Sequence, residues 1–323
     1  MEEGFMKKVG VIVLVLVFSV MILFMNRSMA QEEVKIGYLK LVSSLPTFAT
    51  FAKGYFQEQG LRITATAFES GTLIIDALVA GRIDVSIGNS VITNWMAEQN
   101  LPGIYKIFLV YGPTGPQDVT FTLMVAKDSP LKEVVELKGK RVGTFPGIAS
   151  LILAKAVLRH SFDPNKEVTL IEVPPGNIVQ ALAAGQIDAY FAPEPFGMMG
   201  VAKGVARHLV KSPLSALNLQ KGFPGGADAF NSKFLREKPA VAKEAKAAIY
   251  KGLDFIRSNE AEARKFLITY TGLPEPFAMK IPFEPWTKIE QYDKSAGQPY
   301  FEVLKKEGLF QKAIDTSQLY YQE

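Results

Sequence analysis

The chain of 323 residues contains no cysteine and only two histidines, His160 and His208. The lack of cysteine excludes disulfides, iron–sulfur clusters, cysteine nucleophiles, cysteine-ligated zinc and a lipid-modified N-terminal cysteine. Neither histidine has an acid and a nucleophile near it in the sequence, so a catalytic triad is not supported. We therefore predict no metal site and no cofactor, and we expect a protein that is not an enzyme.

The chain also lacks a marked excess of charge of either sign. Lys and Arg number 36 against 32 Asp and Glu, which gives a net charge of +4 spread along the sequence. Such a small excess predicts no nucleic-acid partner. The hydrophobic fraction of 48% excludes a disordered or collagen-like chain. Its length suggests about two domains with well-filled cores.

The N-terminal thirty residues have the pattern of a secretory signal peptide. Lys7 and Lys8 precede an apolar run, Val9–Met25, that contains a single serine. Small residues, Ser28 and Ala30, follow at the spacing of a signal-peptidase site. We predict that residues 1–30 are removed and that the protein is periplasmic.

Two points about this N-terminal segment stay open. The apolar run is at the short limit for a membrane span, so an uncleaved N-terminal anchor is the alternative to a mature chain that starts near Gln31. Translation could begin at Met1 or at Met6. No later segment has 18 consecutive apolar residues.

From residue 31 onward the sequence repeats one α/β unit. Short apolar strands alternate with helical patterns, which predicts a largely parallel sheet. Residues 76–84 (DALVAGRID) and 180–188 (QALAAGQID) agree at six of nine positions. Each copy follows a strand and a glycine-containing turn, so the pattern predicts two related Rossmann-like lobes. Asp84 and Asp188 end the two copies, and we expect them to hold the turn into the next strand.

The predicted domain organisation places two crossovers between the lobes. Val119–Lys127 is rich in β-forming residues and is expected to lead from lobe one to lobe two. Lys221–Asp228, with three glycines and a proline, is expected to lead back. The prediction assigns residues 31–122 and 224–323 to a discontinuous lobe one and residues 123–223 to lobe two.

Candidate binding residues follow from the rule that ligands of open α/β sheets bind beyond the carboxyl ends of the strands. Several of the loops there open a helix, whose free N–H groups and dipole suit an anion. The candidates are Lys40, Ser43, Ser44, Leu45, Gly71, Thr72, Asn89, Ser90, Pro146, Gly147, Ile148, Ser150, Asn177, Glu194 and Phe196.

Ordinary structural roles compete with binding at several candidates. Ser43, Ser44, Thr72 and Ser90 are also typical helix caps, and Lys40 is also a plausible solvated charge. Glu194, within the Pro-Glu-Pro sequence at 193–195, has two possible roles. It either complements a helix dipole or accepts a hydrogen bond from a ligand amine or hydroxyl. The candidate loops contain no arginine, which weakens the case for a strongly anionic ligand.

Six segments of this sequence resemble one family of transport proteins. The segments are IGYLKLVSSLPTFATFAKGYFQEQGL (36–61), ALVAGRIDVSIGN (77–89), DSPLKEVVELKGKRVGTFPG (128–147), ALAAGQIDAYFAPEP (181–195), FLREKPAVAKEAKAAIYKGLDFI (234–256) and FEVLKKEGLF (301–310). They are similar to the solute-binding proteins of ATP-driven (ABC) importers for nitrate, sulfonate and taurine, which include NMT1-like and thiamine-pyrimidine-precursor binders.

The resemblance implies a type II periplasmic binding protein: two Rossmann-like lobes, joined by two crossover strands, that close on a small molecule. Its expected partners are that ligand and an ABC permease with its ATPase subunit, and a monomer is expected. The shared residues are mostly scaffold, so the implied ligand is only a small polar or anionic molecule such as a sulfonate or nitrate. Two alternatives stay open: a protein that binds or makes the thiamine-pyrimidine precursor, and a secreted sensor subunit. The lack of cysteine and the export signal weigh against synthesis.

Overall fold

The structure, a computed structural model, describes residues 31–112, 120–219, 222–306 and 308–322. The predicted signal peptide, and residues Val119 and Lys221 at the start of each predicted crossover, lie outside these described residues.

The first sheet has six strands in the order β11-β4-β10-β3-β1-β2. Strands β1, β2 and β3 are parallel, whereas β10 is antiparallel to β3 and β4, and β11 is antiparallel to β4. Its strands are β1 (Glu32–Leu39), β2 (Leu61–Phe68), β3 (Val85–Ser90), β4 (Tyr105–Tyr111), β10 (Gly226–Asn231) and β11 (Trp286–Lys288). We call this sheet and the helices packed on it lobe one.

The second sheet has five strands in the order β7-β6-β8-β5-β9. Here β6, β7 and β8 are parallel, and β5 is antiparallel to both of its neighbours. Its strands are β5 (Phe121–Ala126), β6 (Arg141–Thr144), β7 (Thr169–Glu172), β8 (Ala189–Pro193) and β9 (Ala206–Val210). We call this sheet and its helices lobe two.

The two lobes use the repeated sequence in the same way. Lys35 N donates to the Asp84 carboxylate at 2.8 Å, and Arg141 N donates to Asp188 at 2.8 Å. In each copy the isoleucine before the aspartate packs over a strand glycine, 2.6 Å from where that glycine would carry a Cβ. Both aspartates therefore fix the entry into a strand, as the sequence predicts.

The helices cover both faces of each sheet. In lobe one they are α1 (Leu45–Lys53), α2 (Tyr55–Glu58), α3 (Gly71–Val79), α4 (Val91–Asn100), α8 (Ser232–Glu237), α9 (Pro239–Ser258), α10 (Glu260–Thr271), α11 (Glu275–Ala278) and α12 (Gly297–Lys306). In lobe two they are α5 (Ile148–Arg159), α6 (Ile178–Ala183) and α7 (Phe196–Ala202).

The C-terminal helices pack on lobe one. Helix α9 has an apolar stripe along its length and contacts α1, and the buried residues of both belong to one core cluster with β1 and β3. Gly252 makes this approach possible, because an added Cβ there would meet the Pro46 carbonyl oxygen and Thr50.

Two connections join the sheets, one between β4 and β5 and one between β9 and β10. The predicted boundary between residues 122 and 123 falls inside β5, and the one between 223 and 224 falls just before β10. The division of the chain at those residues stays a prediction. None of the helices in the described parts of the chain is long and apolar enough to cross a membrane.

Candidate functional site

A cavity lies between the two lobes, at the carboxyl ends of the parallel strands. It contains about 540 Å³ of space outside the protein atoms, part of it open to solvent. Lobe one contributes Leu39, Leu41, Ser43, Gly71, Gly88, Asn89, Ser90, Thr93, Tyr111, Gly225, Gly226 and Glu284. Lobe two contributes Thr120, Phe121, Phe145, Pro146, Gly147, Ala149, Ser150, Pro193 and Glu194.

The lobes touch each other at the rim of this cavity. Val42 N donates to the backbone oxygen of Glu194 at 3.4 Å, and Ile148 N donates to Thr72 Oγ1 at 3.4 Å. A Cβ on Gly147 would lie 3.2 Å from that same threonine hydroxyl. The structure therefore shows a closed arrangement, in which a molecule in the cavity touches both lobes.

Polar groups on the lobe-one wall are held by hydrogen bonds within that lobe. Tyr111 OH donates to Asn89 O at 2.9 Å, and Asn89 Oδ1 accepts from Ser90 N at 2.9 Å. The Asn89 Nδ2 group donates to Gly71 O at 3.3 Å. These bonds order the side chains before a ligand arrives, which lowers the entropic cost of binding.

A fully buried aspartate supports this wall from behind. Asp228, on β10, accepts a hydrogen bond from Gly88 N at 2.9 Å. Burial raises the pKa of Asp228 to about 8, and the bond from Gly88 offsets part of that rise. Burial beside Asp228 also raises the pKa of Tyr111 well above its ordinary value. Both groups are therefore held in their neutral forms over a wide pH range.

The lobe-two wall carries Glu194, which is only 6% exposed. Its Oε2 atom accepts from Met198 N, in the first turn of α7, at 3.0 Å. Burial raises the pKa of Glu194 to about 7, and hydrogen bonds from the Met198 and Gly197 amides partly oppose the rise. The opposite wall carries a second carboxyl group, Glu284, which is 5% exposed.

A second, more open groove adjoins the cavity between the same two lobes. It shares Leu41 and Phe145 with the cavity, so the two spaces meet at these side chains. The remaining lining residues are Lys40, Ala67, Phe68, Glu69, Pro175, Gly176, Val179, Phe196, Met199, Lys203 and Thr271. This groove carries the charged side chains of Lys40, Glu69 and Lys203 beside apolar ones, and it has room for part of an organic molecule.

The structure brings together most of the residues predicted for the site. The predicted residues that line the cavity are Ser43, Gly71, Asn89, Ser90, Pro146, Gly147, Ser150 and Glu194. Lys40 and Phe196 line the outer groove instead.

Five predicted residues line neither space. Leu45 is fully buried in the lobe-one core, and Ser44 Oγ donates to Leu39 O at 2.7 Å. Thr72 and Ile148 contact each other across the rim, and Asn177 is exposed just before α6. Their contribution to ligand binding stays a prediction.

Sequence reasoning missed several residues of the cavity. Phe145 directly precedes the predicted Pro146, so counting one residue further back from the strand end finds it. Phe121 lies within the predicted crossover and Tyr111 ends the strand before it, which is also a usable signal. Glu284 has no such signal, because a C-terminal segment with no strand before it carries the residue to the cavity.

The described residues contain no group of three or more histidine or acidic side chains arranged to hold a metal ion. The hydroxyl, amide and carboxyl groups on the apolar and aromatic walls of the cavity suit a small organic molecule.

The fold and the interlobe cavity define the class: the chain has the type II periplasmic binding protein fold, with two α/β lobes around one cleft. The chain belongs to the NMT1-like family, whose model matches residues 27–269.

Known proteins similar to this chain include binding proteins and one enzyme. A protein of Brucella abortus strain 2308 named as a binding protein is 26% identical over 234 residues, covering 71% of this chain and 69% of that protein. The alkanesulfonate-binding protein SsuA from Xanthomonas axonopodis pv. citri, bound to MOPS, has a TM-score of 0.72 at 23% identity, covering 90% of this chain and 98% of that chain. The desulfurization enzyme DSZB has a TM-score of 0.62 at 15% identity, covering 90% and 96%. The structural likenesses show the fold.

Proposed function

We propose that this protein is the extracytoplasmic solute-binding component of an ABC importer. It captures a small polar organic molecule between its two lobes and delivers it to a membrane permease. The observation that carries the proposal is the cavity at the strand ends, which is lined by residues of both lobes. A ligand there gains contacts from both lobes only when the cleft is closed, so it shifts the population toward closure.

The delivery and the location rest on two further observations. The first thirty residues have the pattern of a secretory signal peptide, which supports export of the protein. Known relatives include proteins named for binding aliphatic sulfonates, in Bacillus subtilis and Escherichia coli. Closure would change the surface at the lobe tips, and a permease could then distinguish the loaded protein from the empty one.

The proposed role is binding without turnover. The cavity wall carries carboxyl, hydroxyl and amide groups, with no histidine or lysine among the described lining residues that could activate a nucleophile. Incubation with its ligand should return that molecule unchanged, as measured by mass spectrometry. A product that depends on the protein would replace this proposal with an enzymatic one, as in its structural neighbour DSZB.

The main test is ligand-dependent closure. Native mass spectrometry of the purified protein identifies a co-purified small molecule, which is then removed and added back during small-angle X-ray scattering. We expect the radius of gyration to fall as the ligand saturates the protein. Saturation without any change in the radius of gyration would contradict closure between the lobes.

Ser150→Ala tests the position of the site. Ser150 lies on α5, lines the cavity and is 4% exposed. Loss of one neutral hydrogen bond should weaken binding by about 0.5–1.5 kcal/mol, which calorimetry detects. Ser258→Ala, at the exposed end of α9, is the matched control and should bind normally.

A further inference from the structure

Glu194 is a carboxyl group at the boundary between the two lobes. It belongs to lobe two, where it lies between β8 and α7, and its side chain lines the interlobe cavity. Its backbone oxygen accepts the bond from Val42 N of lobe one at 3.4 Å. The side chain is more than nine-tenths buried in this closed arrangement. Because lobe one forms the opposite wall of the cavity, opening of the cleft would return this carboxyl group to water.

The helix that follows Glu194 also docks on lobe one. Met198 and Met199, on α7, pack against the apolar core cluster of lobe one. The same helix contacts α11 of lobe one. Glu194 Oε2 accepts from the backbone N of Met198 at 3.0 Å, so the carboxyl group is tied to the residue that makes the contact. Docking of α7 on lobe one and burial of the Glu194 carboxyl group therefore occur together.

We infer that closure of the cleft takes up a proton on Glu194, so that acid favours the closed state. The inference rests on the proposed function and adds a regulation of the same cavity. In the open state the carboxyl group is ionised near neutral pH, and in the closed state it carries a proton.

The physical reason is the cost of burying charge. An ionised carboxylate loses its hydration when the cleft closes over it, and this loss favours the neutral form. The amides of Met198 and Gly197 stabilise the ionised form, yet burial outweighs them and raises the pKa of Glu194 from 4.5 to about 7. A group with the higher pKa in the closed state binds a proton on closing between these two values. The closed state is therefore stabilised as the pH falls.

The charges around Glu194 do not account for this effect. The titratable and charged groups on the neighbouring elements are Tyr190 on β8, Lys203 just after α7, Lys40 and Tyr111 in lobe one, Glu275 on α11, and Glu284. None of the described charged residues contributes to the raised pKa of Glu194. Burial also raises the pKa of Tyr190, so this neighbour stays protonated. Asp228 is enclosed within lobe one and has a pKa of about 8, so measurements below pH 7.5 largely avoid its titration.

The experiment measures the open and closed populations without a ligand. The chain contains no cysteine, so two introduced cysteines alone carry spin labels. Thr66→Cys on β2 and Gln180→Cys on α6 lie at exposed positions on opposite lobes. Pulsed electron paramagnetic resonance on the dialysed mature protein gives the distance distribution at pH 5.5, 6.5 and 7.5. We expect the ratio of closed to open protein to rise about tenfold or more from pH 7.5 to pH 5.5, since the two pKa values differ by more than two units.

Variants of the labelled protein connect the response to Glu194. Glu194→Gln keeps an oxygen that can accept from Met198 N and has no titrating proton, so its ratio should be constant over this pH range. Glu262→Gln removes an exposed carboxyl group of α10 and should keep the wild-type response. Melting curves of the variants are measured first, and the wild-type pH series does not depend on them.

Each outcome decides the inference separately from the proposed function. A wild-type ratio that is independent of pH, or that rises with pH, overturns the inference. A wild-type response that persists in Glu194→Gln overturns it too, and a response that Glu284→Gln abolishes instead would assign the proton to Glu284. The importer role survives all of these results if the co-purified solute, added back, closes the labelled protein. One unchanged distance with and without that solute would count against the importer role itself.

Discussion

The buried carboxyl group of Asp228 makes protein stability depend on pH in a direction that is unusual for an acid. Its side chain is fully buried, and burial raises its pKa from the ordinary 3.8 to about 8. Between these values the folded protein keeps a proton that the unfolded chain has released. The unfolded state then binds fewer protons, so the free energy of unfolding falls as the pH rises from about 4 to about 8.

The size of this effect follows from the pKa difference. One pKa unit corresponds to about 1.4 kcal/mol, so Asp228 removes at most about 6 kcal/mol between the two limits. Asp228→Asn keeps an oxygen that can accept from Gly88 N and cannot ionise. We expect the variant to gain stability relative to the wild type as the pH rises from 5 to 8, and the difference to stay constant above that.

Urea unfolding at pH 5, 6, 7, 8 and 9 measures this difference, and subtraction of the two proteins cancels the other titrating groups. Asp188→Asn is the control, because Arg141 holds the pKa of Asp188 below its ordinary value. Asp188 stays ionised over this pH range in both the folded and the unfolded state. The free energy of unfolding of its variant should therefore be lower by a constant amount of about 1 kcal/mol or less. An Asp228→Asn variant that is uniformly less stable, with no pH trend, would refute the reasoning.

Three further predictions concern the rim, a helix cap and the backbone. Gly147 has a φ of 105° and ψ of 156°, a region that only glycine adopts readily, so Gly147→Ala should cost about 1–3 kcal/mol in urea unfolding. Gly176→Ala, with open space around it, should be neutral, and equal losses in the two would contradict this. Thr72→Val removes the acceptor for Ile148 N at 3.4 Å and should weaken binding about twofold, since a long bond contributes roughly 0.5 kcal/mol. Thr72→Ser should bind normally in calorimetry, and a Thr72→Val protein that also binds normally would show that the rim contact contributes nothing. Asn231→Ala removes the cap of α8 and should lower the melting temperature, at a cost of about 0.5–2 kcal/mol; an unchanged value would exclude a capping role.

Local patterns in the sequence determined the architecture. Helices α9 and α10 have boundaries that are visible in the sequence, because proline begins the first and Gly272 ends the second. The repeated glycine and aspartate of DALVAGRID and QALAAGQID specify the same turn in both lobes, since both glycines have a φ of 66°. These signals act over a few residues, so they can be found without knowing the fold.

Residues 46–59 show where local signals are weaker, because their sequence has one continuous helical pattern. The structure divides it into α1 and α2 at Gly54, which has a φ of 71°. Leu45, predicted for the site, is instead part of the core, because α9 returns from the distant C-terminal part of the chain and covers α1. That packing depends on residues some 200 positions away, which no local pattern reports.

The chemistry of the cavity was decided by tertiary structure. From the sequence, the serines and the three helix starts suggest free donors for an anion. In the fold Ile148 N donates across the closed rim and Gly147 N donates to Glu172. Glu284 arrives from a C-terminal segment that no strand pattern places at the cleft. The sequence determines which groups are available locally. Only the closed fold determines which of them are already paired, because hydrogen bonds and burial depend on neighbours that are distant along the chain.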